Sequence, residues 1–353
     1  MEPAPRPALP PDFPMPGPGP APASLGRAAW RRLRRNRMAA ASLVLVVLYA
    51  LAAFGAPFLP VHPYAEQVVA HENLPPSLGP AGELMLAART AYLRRLAASQ
   101  GRTALAPEET AELAALARAV RTDPVHRRHY LLGTDNLGRD LLSRLLYGGR
   151  ISILIGLVGT ATAMGVGVLL GSLAGYAGGA VDACIMRCVD ILYGLPYMLL
   201  VIILMALFGR SILNLFAALA LVSWLTLCRV VRGQVLSLRQ AEFVAAARSM
   251  GAGPAWIIFR HLIPNTLGVI VVFATLMVPQ FIMAESFLSF LGLGVSAPLA
   301  SWGSLVADGA GVMSLYPWQL LAPAAVMTVF LFAMNFLGDG LRDALDPQGR
   351  MRG

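Results

Sequence analysis

Long apolar stretches separated by shorter polar segments dominate the sequence. A helix that crosses a bilayer needs about 20 predominantly apolar residues, and six stretches are close to or above this length. The pattern therefore predicts an all-α polytopic membrane protein with six transmembrane helices. The predicted spans cover residues 38–59, 151–181, 183–208, 211–228, 266–293 and 320–337.

Three ionisable residues fall inside these spans. Arg187 and Asp190 are three positions apart in the third span, a spacing that predicts an ion pair within one helix. Glu285 lies deeper, in the fifth span, and has no obvious partner nearby in sequence, so it either faces a pathway or bonds across helices. Because ionisable groups are costly in lipid, all three are candidate pathway residues. Pro196 and Pro279 predict kinks in the same two spans.

Arginines are unevenly distributed around the spans. Seven precede the first span, five lie between positions 229 and 260, and none lies between the fifth and sixth spans. Since short loops rich in arginine remain in the cytoplasm, we expect both termini and residues 229–265 to be cytoplasmic and residues 294–318 to be external.

The polar segments divide the chain further. The helical spacing of the long external segment, interrupted near Gly101, predicts a hairpin that is either a structural decoration or a contact surface for an external partner. The apolar stretch at 38–59 is long enough to remain as an anchor, so we expect no cleaved signal peptide. The predicted divisions are a disordered Pro-rich tail (1–26), a first span with its cytoplasmic approach (27–60), a periplasmic segment (61–149) with an insertion (about 79–125), a five-helix core (150–340) and a cytoplasmic tail (341–353).

Composition restricts the chemistry that the chain can perform. Hydrophobic residues make up 57% and charged residues 13%, and all 28 residues in the Lys and Arg count are Arg. Without lysine there can be no P-loop for ATP and no Schiff base, so any ATP must be hydrolysed by another chain. No protease or hydrolase motif and no metal-ligand spacing occurs. We expect no catalytic residues, no cofactor and no metal, and we expect His126 and His129 to be a solvated pair.

Small and turn-forming residues indicate local structure near the second span. Gly167, Gly171 and Gly175 recur every four residues, which predicts close packing of two helices. The stretch at 133–140, GTDNLGRD, supplies turn and helix-capping residues, and the adjacent Arg139 and Asp140 could pair locally.

The segment between the fourth and fifth spans predicts two short helices joined by a turn. Gly251 suits the left-handed conformation after an Ala-rich helix, and Pro254 suits the first turn of a second helix, which Pro264 is expected to end. The alternative is an amphipathic loop at the membrane surface. Three apolar side chains of this segment would suit docking into a partner's groove, namely Phe243, Met250 and Trp256.

This segment resembles the EAA loop of ABC-importer permeases, in which a Glu-Ala-Ala triplet precedes a spaced Gly and Pro. Gly251 and Pro264 have the family spacing, and residues 245–247 stand at the triplet. The acidic position is therefore alanine, while Glu242 does not align with it, and whether this substitution alters ATPase docking stays open. The residues that the resemblance assigns to an ATPase-coupling elbow are Phe243, Ala245, Ala246, Ala247, Gly251 and Pro264.

Other motifs are similar to the C-type subunit of the dipeptide, oligopeptide and nickel permeases. Residues 132–150 read LGTDNLGRDLLSRLLYGGR, similar to the family signature GTDxLGRDxLSRLxYGxR. Residues 288–309 contain LSFLGLG, SWG and ADG, and residues 335–347 read NFLGDGLRDALDP, similar to the closing signature. The resemblance covers about 27–75 and 130–349 and omits the insertion.

The resemblance implies a type I ABC-importer permease fold with a cytoplasmic coupling elbow, in the bacterial inner membrane. It implies four partners besides the lipid bilayer: a homologous B-type permease, two ATPase subunits and a periplasmic solute-binding protein. Nucleic acid is not expected. Dipeptides or oligopeptides are the expected substrate, and nickel or another small solute is the alternative within the family. A stand-alone transporter or an intramembrane enzyme is the alternative outside it, although the expected catalytic constellation or buried charges are absent.

Overall fold

The structure is a computed structural model that describes residues 25–345. Helices form the whole scaffold, and the described residues contain no strand. The predicted tail at 1–26 lies outside the described residues except for its last two positions, and so do positions 346–353 of the predicted C-terminal tail. The α-helices are α1 (Leu25–Arg35), α2 (Arg37–Gly55), α3 (Ala81–Ser99), α4 (Pro107–Thr122), α5 (Leu141–Ala177), α6 (Gly179–Tyr193), α7 (Tyr197–Phe208), α8 (Ile212–Leu238), α9 (Glu242–Ser249), α10 (Pro254–Ile257), α11 (Ile263–Phe290), α12 (Trp302–Ala310) and α13 (Trp318–Leu345).

Five helical segments of the described chain are long and apolar enough to cross a membrane, namely α2, α5, α8, the run from α10 to α11, and α13. A sixth span results if α6 and α7 count together, because they form an apolar pair bent by 80°. The bend lies just before Pro196, where the sequence predicts a kink, whereas α11 continues through Pro279. The predicted polytopic all-α fold is confirmed.

Helices α5 and α8 pack closely because glycines line their contact. A Cβ atom added to Gly171 would lie 2.5 Å from the Cys228 carbonyl oxygen, and one added to Gly175 would lie 2.8 Å from that of Arg232. Gly167 meets the Trp224 carbonyl in the same way. Only residues without a side chain allow this approach, so the small-residue spacing is confirmed as a packing motif.

A second core joins α2, α5, α11, α12 and α13 around Trp302. The Trp302 ring lies edge-on to Tyr49 and Phe330, and its Nε1 donates a hydrogen bond to the Leu145 carbonyl at 3.0 Å. Its backbone N–H donates to Ser152 Oγ at 2.9 Å. These contacts fix the short helix α12 against the start of α5.

Different segments of the chain pack at the two ends of the helix bundle. Gln319, at the start of α13, donates hydrogen bonds to Asn73 and Thr134 in the segment between α2 and α5. At the other end, Leu345 lies near Gly268 at the start of α11. We call the first end the insertion side and the second, which also carries α9 and α10, the elbow side. Leu33 of α1 packs beside Gly340 near the end of α13, so both ends of the described chain lie on the elbow side.

The long segment between α2 and α5 contains α3 and α4, packed against each other. Arg102 forms a salt bridge with Glu109 at 2.8 Å across the connection, and Arg89 forms one with Glu112 at 2.6 Å. Gly101 provides the turn with a φ of 71°. These two helices occupy the position predicted for the helical insertion.

A buried histidine pair anchors the insertion. His71 Nε2 lies 2.8 Å from His126 Nδ1, and His71 Nδ1 lies 2.9 Å from the Tyr130 hydroxyl. The predicted solvated pair of His126 and His129 is wrong, because His126 turns inward to His71 while His129 is exposed and bonds to the Leu78 carbonyl.

The turn before α5 is held by a buried ionic cluster. Asp135 Oδ2 accepts hydrogen bonds from Arg139 Nε at 2.7 Å and Arg144 Nη1 at 2.6 Å. Asp140 instead caps α5 through the backbone N–H of Leu142, and burial is the largest influence that raises its pKa. The predicted local pair of Arg139 and Asp140 is therefore wrong, since the left-handed Gly138 turns the chain so that Arg139 faces Asp135.

Candidate functional site

The first candidate site is the elbow, residues 241–264, which joins α8 to α11. Its inner side chains are buried: Val244 and Ala247 of α9 and Ile257 of α10 belong to one apolar cluster with Val231 and Val235 of α8. The α9 helix thus rests directly on the end of a membrane span. Any displacement of the elbow would be transmitted to α8 through these contacts.

The outer surface of the elbow is apolar and exposed. Met250 is 79% exposed, and Trp256 and Phe259 are about half exposed or more. Phe243 is also exposed, and its ring lies near His261, which also contacts the Trp256 ring. Such a set of large apolar side chains on one surface is typical of a protein interface.

The predicted elbow residues occupy different positions around the turn. Ala245 and Ala246 are exposed, whereas Ala247 is buried at 1% exposure. Gly251 follows the end of α9 with a φ of 81°, and nothing lies within 4 Å of the place a Cβ would take. The turn needs glycine for its backbone conformation, while the space around it is free.

Pro264 does not end the second helix, contrary to the sequence prediction. The chain stays helical from Pro254 to Phe290, with a π-helical segment at Ile258–Leu262, and Pro264 lies in the first turn of α11. The wider π turn changes the hydrogen-bond register just before the proline, so its missing N–H does not interrupt the helix. The elbow is therefore continuous with the span that follows it.

The second candidate site is a cavity of about 760 Å³ on the flank of the bundle. It lies between the broken pair α6 and α7 and the spans α8 and α11. No charged side chain contributes to its wall, which is mainly aromatic, Leu and Met. Its polar lining residues are Tyr193, Tyr197, Ser223, Thr226 and Gln280.

The predicted ion pair of Arg187 and Asp190 does not form. Asp190 Oδ1 lies 2.6 Å from Arg229 Nη2 on α8, and the Arg229 guanidinium also stacks over the Tyr193 ring at 4.1 Å. Arg187 is exposed and has no ion pair within residues 25–345. Arg187 and Asp190 have the spacing of a helical pair, but Asp190 binds Arg229 on the neighbouring helix instead. The position of Arg229 depends on how α6 and α8 pack.

Glu285 lies in the protein interior, away from the cavity wall. It is 0% exposed, and its Oε1 accepts hydrogen bonds from Ser289 Oγ at 2.7 Å and Ser301 Oγ at 2.6 Å. Ser301 is the N-cap residue of α12. The sequence left two alternatives for Glu285, facing a pathway or bonding across helices, and the structure shows hydrogen bonds to another element. A pathway role for Glu285, Arg187 and Asp190 stays a prediction.

Sequence reasoning missed two features of these sites. Asp182 and Arg232 form a two-point salt bridge between α6 and α8, with Nη2 to Oδ2 at 2.6 Å. In sequence, Asp182 only follows the end of an apolar stretch, and its partner lies 50 positions away. The polar residues of the cavity were also missed, since each occurs singly in an apolar stretch. In the part of the chain that the structure describes, no group of three or more potential metal ligands occurs.

Comparison with known proteins gives these sites a family context. Residues 167–351 match the family described as the binding-protein-dependent transport system inner membrane component, and residues 24–76 match the N-terminal TM domain of oligopeptide transport permease C. The chain belongs to this permease family. It is a multi-pass membrane permease, as the sequence motifs predicted.

Individual relatives support the assignment over nearly the whole chain. The oligopeptide transport system permease protein OppC of Escherichia coli (strain K12) is 43% identical over 329 residues, covering 92% of this chain and 93% of the relative. The dipeptide transport system permease protein DppC of Bacillus subtilis (strain 168) is 39% identical over 324 residues, covering 91% and 85%. The insertion lies between the segments matched by the two family models.

Proposed function

We propose that this permease is one subunit of an ATP-driven importer of dipeptides or oligopeptides and forms half of its translocation pathway. The names of its relatives support the peptide substrate. A homologous permease would complete the pathway, and a periplasmic binding protein would deliver the solute on the insertion side. The arginine distribution supports a cytoplasmic elbow side and cytoplasmic termini.

The observation that carries the coupling role is the two-sided elbow. Its outer surface exposes Phe243, Met250, Trp256 and Phe259, and its inner surface packs on α8. We assign the outer surface to a separate ATPase subunit, because this chain lacks the lysine of a P-loop. Closure of the ATPases on ATP would move the elbow, and α8 and α11 would move with it.

The flank cavity is assigned to the solute pathway. Its wall includes both sides of the α6–α7 break and parts of the two spans that join the elbow, so motion of the elbow would change its shape. Alternating access requires that ATP and the binding protein favour different states of the bundle. Hydroxyl and amide groups in an uncharged wall suit the amide groups of a peptide.

The test places a charge on the outer surface of the elbow. Met250→Asp together with Trp256→Asp should abolish most ATPase association, because carboxylates would replace apolar side chains at a desolvated interface. We expect at least a tenfold loss of co-purified ATPase and of tripeptide uptake. The control is Met313→Asp, which charges an apolar residue that is 54% exposed on the insertion side.

Three outcomes would contradict the coupling assignment. ATPase association that survives the double substitution would exclude the elbow as the docking surface. An equal loss of ATPase in the Met313→Asp control would show that the added charge acts through folding. Gly251→Leu gives a third variant, because the left-handed turn disfavours a side chain there, and normal association and uptake in it would also contradict the assignment.

A further inference from the structure

The N-terminal helix α1 has a strongly cationic surface that the transport function does not use. Residues 25–38 contain six arginines, and no acidic residue occurs between positions 25 and 65. Four of these arginines are exposed and have no ion pair within the described chain. They are Arg31, Arg34 and Arg35 of α1 together with Arg37, the first residue of α2.

The opposite face of α1 is fixed to the bundle. Leu33 is 4% exposed and packs beside Gly340 on α13, and Ala29 contacts the same apolar core. Because this face is held by α13, the arginine face points away from the protein. The cationic surface is thus a fixed feature of the fold.

The position of α1 relative to the first span identifies what this surface meets. Asn36 caps α2, so only one residue separates the two helices, and the exposed apolar side chains of α2 begin at Met38. The arginines therefore lie at the boundary between lipid tails and water. Trp30 is 50% exposed beside Arg34, and tryptophan is enriched at this depth of the bilayer.

We propose that α1 is a binding surface for the headgroups of anionic phospholipids. A guanidinium group binds a phosphate through two parallel hydrogen bonds, and several arginines near the membrane surface add their attraction to anionic lipid. An acidic surface on a cytosolic protein has the same charge, but it would have to enter the headgroup layer to reach Arg35 and Arg37. The site retains anionic lipid around the first span.

The experiment measures lipid preference directly in the assembled transporter. The complex is reconstituted in phosphatidylcholine vesicles, and the association of spin-labelled phosphatidylglycerol is compared with that of spin-labelled phosphatidylcholine. We expect the substitution of Arg31, Arg34, Arg35 and Arg37 by Gln to lower the preference for phosphatidylglycerol by about threefold or more. The matched control removes four exposed arginines of the insertion and should leave the preference unchanged; these are Arg94, Arg95, Arg118 and Arg121.

Further variants test the proposal if the fourfold substitution disturbs insertion into the membrane. If loss of all four charges disturbs membrane orientation, as judged by protease access to the N-terminus, the pairs Arg31 with Arg34 and Arg35 with Arg37 are replaced separately. Substitution of either pair should lower the preference for phosphatidylglycerol by a smaller factor. Lys at all four positions should keep most of the wild-type preference. An unchanged preference in correctly oriented variants overturns the proposal. Loss of ATPase subunits with unchanged lipid preference would assign α1 to a protein contact and also overturns it.

Discussion

At the scale of single residues, Glu285 links two elements through one oxygen atom. Its Oε1 accepts hydrogen bonds from a serine on its own helix and from Ser301 at the start of α12. Ser301 in turn accepts a hydrogen bond from the Ser304 backbone N–H at 2.9 Å. The carboxyl group therefore helps to set where α12 begins, close to the contacts that Trp302 makes with α5.

Glu285→Ala should destabilise the protein more than Glu285→Gln does. Alanine leaves the buried Ser301 hydroxyl and the half-buried Ser289 hydroxyl without their acceptor, at a cost of about 1–3 kcal/mol, whereas the glutamine side-chain oxygen can still accept from both. The measurement is thermal unfolding of the detergent-purified complex.

Glu108→Ala is the control for this comparison. Glu108 is an exposed carboxylate of the insertion, so its removal should leave the melting temperature unchanged. Equal melting temperatures for Glu285→Ala and wild type would show that the two serine hydrogen bonds do not stabilise α12.

Charge pairs show where sequence spacing fails as a guide to residue contacts. Arg187 and Asp190 have the spacing of a helical pair, but Asp190 bonds to Arg229, which lies 39 positions away. Helical spacing shows which side chains can meet within one helix. It carries no information about a competing cation on the next helix, so such contacts require the packed structure.

At the scale of elements, the α5–α8 contact depends on a row of glycines. Gly167, Gly171 and Gly175 bring the α5 backbone against carbonyl groups of α8. The four-residue spacing of these glycines was sufficient to predict this packing. Gly165, on the same helix, has nothing within 4 Å of the place a Cβ atom would take. On α5, Gly171 should therefore be sensitive to substitution by a larger residue, and Gly165 should tolerate it.

Gly171→Leu should separate α5 from α8, because its Cβ alone would lie 2.5 Å from backbone oxygen. We expect loss of the folded complex, measured as the monodisperse peak in size-exclusion chromatography after detergent extraction. Gly165→Leu should extract like wild type, since leucine favours helix and its Cβ would meet no atom within 4 Å. A folded Gly171→Leu protein with wild-type yield would refute the close-packing role.

Element boundaries were only partly predictable. Apolar length located the five long spans and the apolar stretch of the bent pair α6 and α7, because burial in lipid needs a minimum number of apolar residues whatever the packing. It did not reveal that α10, the π segment and α11 form one continuous helix, or that the third span bends by 80°. The continuous helix and the bend both depend on local backbone hydrogen bonding. A proline in the first turn of a helix leaves this bonding intact, whereas a proline further along the helix removes one of its hydrogen bonds.

At the scale of the whole molecule, His71 joins the segment that follows α2 to His126 and Tyr130, which follow the insertion. The pKa of His71 is lowered from 6.5 to about 4, chiefly by burial and then by the neighbouring His126. Arg128 and His62 lower it further, while Asp123 acts in the opposite direction. In the folded protein His71 therefore stays neutral under mildly acidic conditions in which the unfolded chain would bind a proton.

This shift predicts the sign of a pH effect. Unfolded protein binds the proton more readily, so the free energy of unfolding should fall as pH decreases from about 6.5 towards 4, and should be unaffected by this group above 6.5. His71→Asn removes the titrating group, so its stability should depend less steeply on pH in that range. The measurement is the melting temperature as a function of pH.

The exposed His129 provides the matched comparison. His129→Gln should keep the wild-type pH dependence, because its ring lies at the surface. Identical pH slopes for wild type and His71→Asn would show that burial of His71 does not control acid stability.

The overall arrangement could be predicted in outline from sequence motifs, whereas the flank cavity could not. Motif order and elbow spacing indicated the permease family, and the comparisons confirmed it. Tyr193, Ser223 and Gln280 come from three separate helices and meet only after folding. Each looks like an isolated polar residue in an apolar stretch, so no linear pattern marks it.

The break between α6 and α7 has a consequence for hydration. No side chain caps the start of α7, and its first residues, Tyr197 and Met198, line the cavity. The first backbone N–H groups of a helix have no partner within it, and leaving them dry at membrane depth would be expensive. We therefore expect water to solvate these N–H groups, so that a solute that displaces the water would have to offer carbonyl oxygens in exchange.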